Sequence, residues 1–203
     1  MSGPQIEFYF DFPSPYSYMA STALPKLAAK HGATVAYRPF RILKLMEMVG
    51  NTPTTITCKA KNRYAQADLG RWQRRYGVTL QRNPKMGTFD FTLLGRLVLV
   101  ANAQDRGRAC VDAIFPAVWA GTDDLADIAV LARRLDAAGF AGATMIEQAA
   151  GSTWMAQLDE ATAKAAERGV FGAPTFFLGN DMFFGNDRLD FVAEALGANR
   201  RVA

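Results

Sequence analysis

An α/β fold, built on a four-stranded mixed sheet and interrupted by one long all-helical insertion, is what this 203-residue sequence predicts. Three observations lead there. The first forty residues run through a strand period, a helix period and a second strand period. Residues 41–168 carry helical spacing and almost no strand pattern. Strand character returns at 175–184, split by Gly179-Asn180-Asp181, and one more helical pattern follows.

Each element has its own signal. Ile6, Phe8 and Phe10 alternate along residues 6–10, which is the period of a strand. From Pro15 onward Met19, Ala20, Ala23, Leu24 and Leu27 recur at helical spacing, and Gly32 is a stop. Residues 34–38 read as a second strand. Strand, helix and strand at this spacing make a βαβ unit, whose right-handed crossover places the two strands parallel. In the long block, Lys59 to Tyr76 reads as a helix with Tyr64, Leu69 and Trp72 as packing residues. Thr92 to Ala103 and Arg108 to Ala120 read as two more. Asp123 or Asp124 could cap a helix carrying Ile128, Leu131 and Leu135, and Ser152 or Thr153 could cap the last, which runs to Arg168 and stops at Gly169. Residues 175–178 and 182–184 flank a turn and read as a hairpin. Asn186 or Asp187 could cap a final helix with Leu189, Val192 and Leu196 on its inner face. The chain therefore divides into a sheet domain from residues 1–40 plus 169–203 and a helical insertion over 41–168. Strand order and insertion point are those of a thioredoxin-like domain.

Composition narrows the function classes. A formal charge of +4 is mild, and its densest cluster, Arg71-Trp72-Gln73-Arg74-Arg75, belongs to a helix rather than to a basic tail. No nucleic-acid-binding motif accompanies it, so no nucleic-acid partner is expected. The two cysteines, Cys58 and Cys110, lack the spacing of a metal site or redox pair and read as reduced thiols. His31 is the single histidine, which excludes a histidine-rich metal site, and it suits the C-terminus of its helix. The first ten residues lack the charged start and apolar stretch of a signal peptide. No apolar run approaches the ~20 residues of a membrane span. The expected compartment is the cytoplasm, with no membrane partner.

Three short motifs could carry chemistry. In Ser14-Pro15-Tyr16-Ser17, Ser14 stands at the N-cap position and Pro15 at the first helical position. At this strand–helix junction a thioredoxin-like oxidoreductase carries a Cys-x-x-Cys pair. Ser14 and Ser17 occupy those positions here, which excludes dithiol chemistry and leaves a hydroxyl, free amides and the positive end of a helix dipole, a setting suited to an anion. In Gly172-Ala173-Pro174-Thr175, a proline just before a strand is a candidate cis peptide. It would leave the Ala173 backbone open to pair with a peptide-like ligand. In Gly185-Asn186-Asp187-Arg188, the alternatives are a plain helix cap and a polar nest for a zwitterion, with Asp187 on an ammonium and backbone amides on a carboxylate.

With "FDFPSPYSY" at one end and "VFGAPTFFLGNDMFFGNDRLDFV" at the other, the chain resembles the 2-hydroxychromene-2-carboxylate isomerases, relatives of the kappa-class glutathione transferases on the disulfide-oxidoreductase scaffold. The resemblance covers essentially the whole chain. It implies glutathione as cofactor, with Ser14 hydrogen-bonding the sulfur and acting as the catalytic residue. It also implies Ala173 and Pro174 pairing with the cysteinyl part, and Asn186, Asp187 and Arg188 holding the γ-glutamyl end. Lys61 and Tyr64 match a Lys-x-x-Tyr pattern that lies near the substrate pocket in relatives. The implied reaction is reversible addition of the thiolate to a conjugated double bond of an aromatic carboxylate, rotation, and elimination. The implied assembly is a homodimer through the helical region. Residues 52–58 and 85–92 depart from the family's usual pocket segments. Two rival functions stand beside the isomerase: a kappa-like transferase that consumes glutathione, and a non-catalytic glutathione or peptide binder.

Overall fold

Strand β1 (Gln5–Phe10) lies in the middle of the sheet. The structure is a computed structural model; it describes residues 3–202, and side chains over 3–198. β1 pairs in parallel with β2 (Thr34–Pro39) from Gln5↔Thr34 to Phe10↔Pro39, as the βαβ reading requires. It pairs antiparallel with β3 (Thr175–Leu178), and β4 (Asp181–Phe184) closes the hairpin, so the order is β2-β1-β3-β4. The thioredoxin-like four-stranded mixed sheet is present as expected.

Helix α1 (Pro15–Lys30) joins β1 to β2. Eight helices fill the stretch between β2 and β3: α2 (Ile42–Met48), α3 (Thr54–Thr57), α4 (Lys59–Tyr76), α5 (Phe91–Asn102), α6 (Gly107–Trp119), α7 (Ile128–Ala137), α8 (Gly142–Ala150) and α9 (Ser152–Glu167). α10 (Leu189–Val202) follows the hairpin. Among the described residues no helix is long and apolar enough to cross a membrane.

The alternation in β1 sets the two faces of the sheet. Phe8 stacks on Phe176 of β3 with ring centroids 5.4 Å apart, and Phe10 meets Phe115 of α6 at 5.6 Å. This face shares one core with α1, α5, α6, α7, α8 and α10. The opposite face holds Tyr9, Phe177 and Phe40, covered by Leu45 of α2 and Ala165 of α9. The sheet is thus enclosed on both faces, one chiefly by the helical insertion.

Several helix starts differ from the expectation. Asp127 caps α7 by accepting the Ala129 and Val130 N–H groups. Asp123 pairs instead with Arg134, and Asp124 with Lys85. Gly151 precedes α9 without any side-chain cap, and Ser152 is already helical. Asn186 and Asp187 do not cap α10; they lie in a 3₁₀ turn, Asn186–Arg188, that leads into it. α2, α3 and α8 have no counterpart in the sequence reading.

The loop between β1 and α1 is fixed by buried polar contacts. The Trp119 indole N–H donates to the Phe12 carbonyl at 2.8 Å. The Asp11 carboxyl, only 8% exposed, accepts the N–H groups of Phe12 and Ile42, each at 2.8 Å, and so ties the loop to the start of α2. Burial raises the Asp11 pKa to about 7, against the opposing pull of those two N–H groups and of the Arg41 charge.

A folded-state pKa above the unfolded value means that the native state binds the extra proton. The Asp11 contribution therefore favours folding most below pH 4 and is lost as pH rises towards 7, by as much as about 4 kcal/mol. Urea unfolding of the wild type and Asp11→Asn between pH 4 and 8 should show the wild type losing stability relative to the variant over that window. A constant difference across the window would mean that Asp11 does not titrate there.

Candidate active site

Three of the expected residues, Ser14, Ala173 and Pro174, converge at the C-terminal end of β1. Ser14 is the N-cap of α1: its extended backbone (φ −89°, ψ 113°) lets Oγ accept the Ser17 N–H at 3.1 Å, and Pro15 opens the helix. The first turn of α1 carries no acidic residue of its own beside the positive end of its dipole. The Ser14 hydroxyl donates to the Ala173 carbonyl at 3.3 Å, a contact spanning 159 residues of sequence. The Ala173–Pro174 peptide is cis. The Ala173 backbone is therefore only half open: its carbonyl is taken by Ser14, while its N–H has no hydrogen-bond partner among the described residues.

The third motif closes on the second. The Gly185 N–H donates to the Pro174 carbonyl at 2.9 Å, and Gly185 adopts φ +103°, a conformation that L side chains rarely take. Asn186 follows, 3% exposed, with its carbonyl accepting the Tyr76 hydroxyl at 3.1 Å. Its side-chain amide Nδ2 is buried without a partner among the described residues. Asp187 and Arg188 remain half-exposed and pair with each other at 2.6 Å. A Cβ at Gly172 would come within 2.8 Å of the Phe184 ring, so a larger residue there would have to displace that ring.

Lys61 and Tyr64 lie on the exposed first half of α4, and Tyr64 is 64% exposed. Neither makes a hydrogen bond to Ser14 among the described residues. α4 is instead connected to the site by Tyr16, whose hydroxyl donates to Asp68 at 3.1 Å. Burial, and then the Asp68 carboxylate, push the Tyr16 phenol well above its usual range. Arg71 lies near Asp68 (3.9 Å) and over the Tyr64 ring (5.7 Å), which places Tyr64 in the same charged cluster.

Sequence reasoning missed Tyr16, Asp68, Tyr76 and Asn51. Asn51 Nδ2 donates to the Phe171 carbonyl at 2.8 Å and so ties the α2–α3 loop to the segment leading to Ala173. The signal for Tyr16 was its place inside the serine motif. The others had none, since their partners lie 52 to 120 residues away.

A family model described as a DSBA-like thioredoxin domain matches residues 5–197. A curated 2-hydroxychromene-2-carboxylate isomerase from Sphingobium xenophagum is 34% identical, over 94% of this chain and 97% of its own. The chain belongs to the DSBA-like thioredoxin domain family, alongside the 2-hydroxychromene-2-carboxylate isomerases. A solved structure of such an isomerase superposes with a TM-score of 0.85 at 32% identity, covering 97% of this chain and 96% of the other. Glutathione S-transferase kappa 1 of Caenorhabditis elegans is 27% identical over 95% of this chain and 91% of its own. Within that family this member carries hydroxyls, not thiols, at residues 14 and 17.

The cap role of Ser14 can be separated from any chemistry. Ser14→Ala should lower the unfolding free energy by about 1 kcal/mol, while Ser14→Asn should stay close to the wild type. Equal losses in urea denaturation would show that the cap contributes little.

Proposed function

We propose that this protein is a glutathione-dependent isomerase acting on 2-hydroxychromene-2-carboxylate or a similar unsaturated aromatic carboxylate. The observation that carries the reading is the Ser14 hydroxyl at the start of α1, hydrogen-bonded to the carbonyl of Ala173 just before Pro174. The isomerases among its relatives support the reaction type.

The donor set fits a thiol tripeptide. Ser14 offers one hydroxyl proton to a sulfur anion, the Ala173 N–H is a free donor for a peptide carbonyl, and Asn186 Nδ2 is a buried donor without a partner. Asp187 supplies the acceptor for an ammonium, and Arg188, paired to it, lies at the same corner. When bound, glutathione supplies a nucleophilic thiolate that can add reversibly to a conjugated double bond and leave again unchanged.

The task of this chain is to hold that sulfur as an anion. A thiol of pKa about 8.5 must fall by about two units to be mainly ionised near neutrality, which takes roughly 2.7 kcal/mol. A hydroxyl donor to a charged acceptor contributes ~1.5–3 kcal/mol, and a helix N-terminus ~0.3–1 kcal/mol. Ser14 and α1 together supply enough, with no histidine base at the site. The Ser14 proton now goes to Ala173 over 3.3 Å, a long bond for a hydroxyl donor, so its redirection costs little. Lys61, exposed on α4, would attract a substrate carboxylate, with Tyr64 one turn further on.

Isomerisation of 2-hydroxychromene-2-carboxylate, followed by ultraviolet absorbance with and without glutathione, tests the reading. Turnover should require glutathione and leave the free-thiol count unchanged; stoichiometric thiol loss would assign the protein to the transferases instead. Ser14→Ala should cost about 10²-fold or more in kcat/KM, and full activity in that variant would remove Ser14 from the chemistry.

A further inference from the structure

Ser17 stands one turn after Ser14 on the same face of α1, and it is 0% exposed. Its hydroxyl has no hydrogen-bond partner among the described residues. Buried hydroxyls are rarely left this way, because desolvation then has nothing set against it. Neighbouring residues of the same helix behave normally. Ser21 donates to the Tyr18 carbonyl at 2.8 Å and Thr22 to the Met19 carbonyl at 2.7 Å. Ser17 makes no such bond.

The place of Ser17 suggests what the free hydroxyl is for. Its own backbone N–H donates to Ser14 Oγ at 3.1 Å, so the Ser17 side chain starts one bond beyond the nitrogen that meets that oxygen. Ser14 Oγ accepts that N–H and gives its proton to Ala173, which leaves its second lone pair open. We infer that Ser17 is a positioning residue, whose buried hydroxyl rotates about χ1 to donate to Ser14 Oγ when the Ser14 proton turns from the Ala173 carbonyl to a sulfur anion at the start of α1. A hydroxyl that accepts one hydrogen bond becomes a stronger donor in the next, so Ser17 sharpens the donor that faces the anion. The inference rests on the glutathione reading given above.

Ser17→Ala tests it through three readouts: thermal unfolding without glutathione, the pKa of the bound glutathione thiol from thiolate absorbance, and the steady-state constants. Removal of an unpaired buried hydroxyl should leave Tm unchanged or higher. The bound thiol pKa should rise by about half a unit, and kcat/KM should fall about 3- to 10-fold with little change in the glutathione KM. Because Ser17 acts through Ser14, Ser17→Ala should add nothing in a Ser14→Ala background. An unchanged thiol pKa with wild-type kcat overturns the inference, as does a second full loss in the double variant. A wild type that neither binds nor needs glutathione overturns the reading of the site, and this inference with it. A glutathione-dependent wild type with a silent Ser17→Ala overturns this inference alone.

Discussion

Pairing along β1 is the constraint on which the rest depends. The strand is central in the sheet, and its faces feed two separate cores, Phe8 and Phe10 on one and Tyr9 on the other. Its parallel register with β2 requires a crossover, which α1 supplies, so the N-terminus of α1 emerges at the C-terminal end of β1. Its antiparallel register with β3, Tyr9↔Thr175, brings residues 173 and 174 to that same end. Ser14 and Ala173 meet because two ladders share one strand. A one-residue slip of β3 against β1 would turn Phe176 and Phe177 to the wrong faces and shift Ala173 away from Ser14.

Around this junction the chain uses polar groups that a purely apolar core would avoid. Asp11 takes two N–H groups from different segments while buried, and Trp119 holds the Phe12 carbonyl from beneath. These contacts fix a loop that has no ladder of its own, between a strand and a helix start. They also link the site to the helical insertion, since Ile42 belongs to α2 and Trp119 to α6. Among the described residues, the two buried polar side-chain atoms without partners are Ser17 Oγ and Asn186 Nδ2, and both belong to the site motifs. Unmet hydrogen-bonding capacity concentrated at one place is what a site prepared for a polar ligand would carry.

Sequence reading succeeded where periods were long. The strand alternation in β1, the helical spacing of α1, α4, α5 and α6, and the glycine-centred hairpin were all legible because each signal is local. Short helices escaped it: α2, α3 and α8 span seven, four and nine residues, too few for a period to stand out. Caps were misplaced for a related reason. Asp123, Asp124 and Asp127 are equivalent as local signals, and only the ion pairs of the first two, with Arg134 and Lys85, leave the third to cap α7.

The sequence by itself determined the fold class, the absence of a dithiol at residues 14 and 17, and the three motifs from which the site is drawn. Each follows from residue identity and near-neighbour spacing. The tertiary structure decided how those motifs engage: Ser14 already bonded to Ala173, Pro174 joined to Gly185, Asn186 buried under Tyr76, and α4 attached through Tyr16 and Asp68. These contacts span from 11 to 159 residues of chain, and they exist only once the sheet register has set where each segment ends. Hydrogen bonds made at such range depend on where the backbone has been carried, which composition and periodicity do not encode.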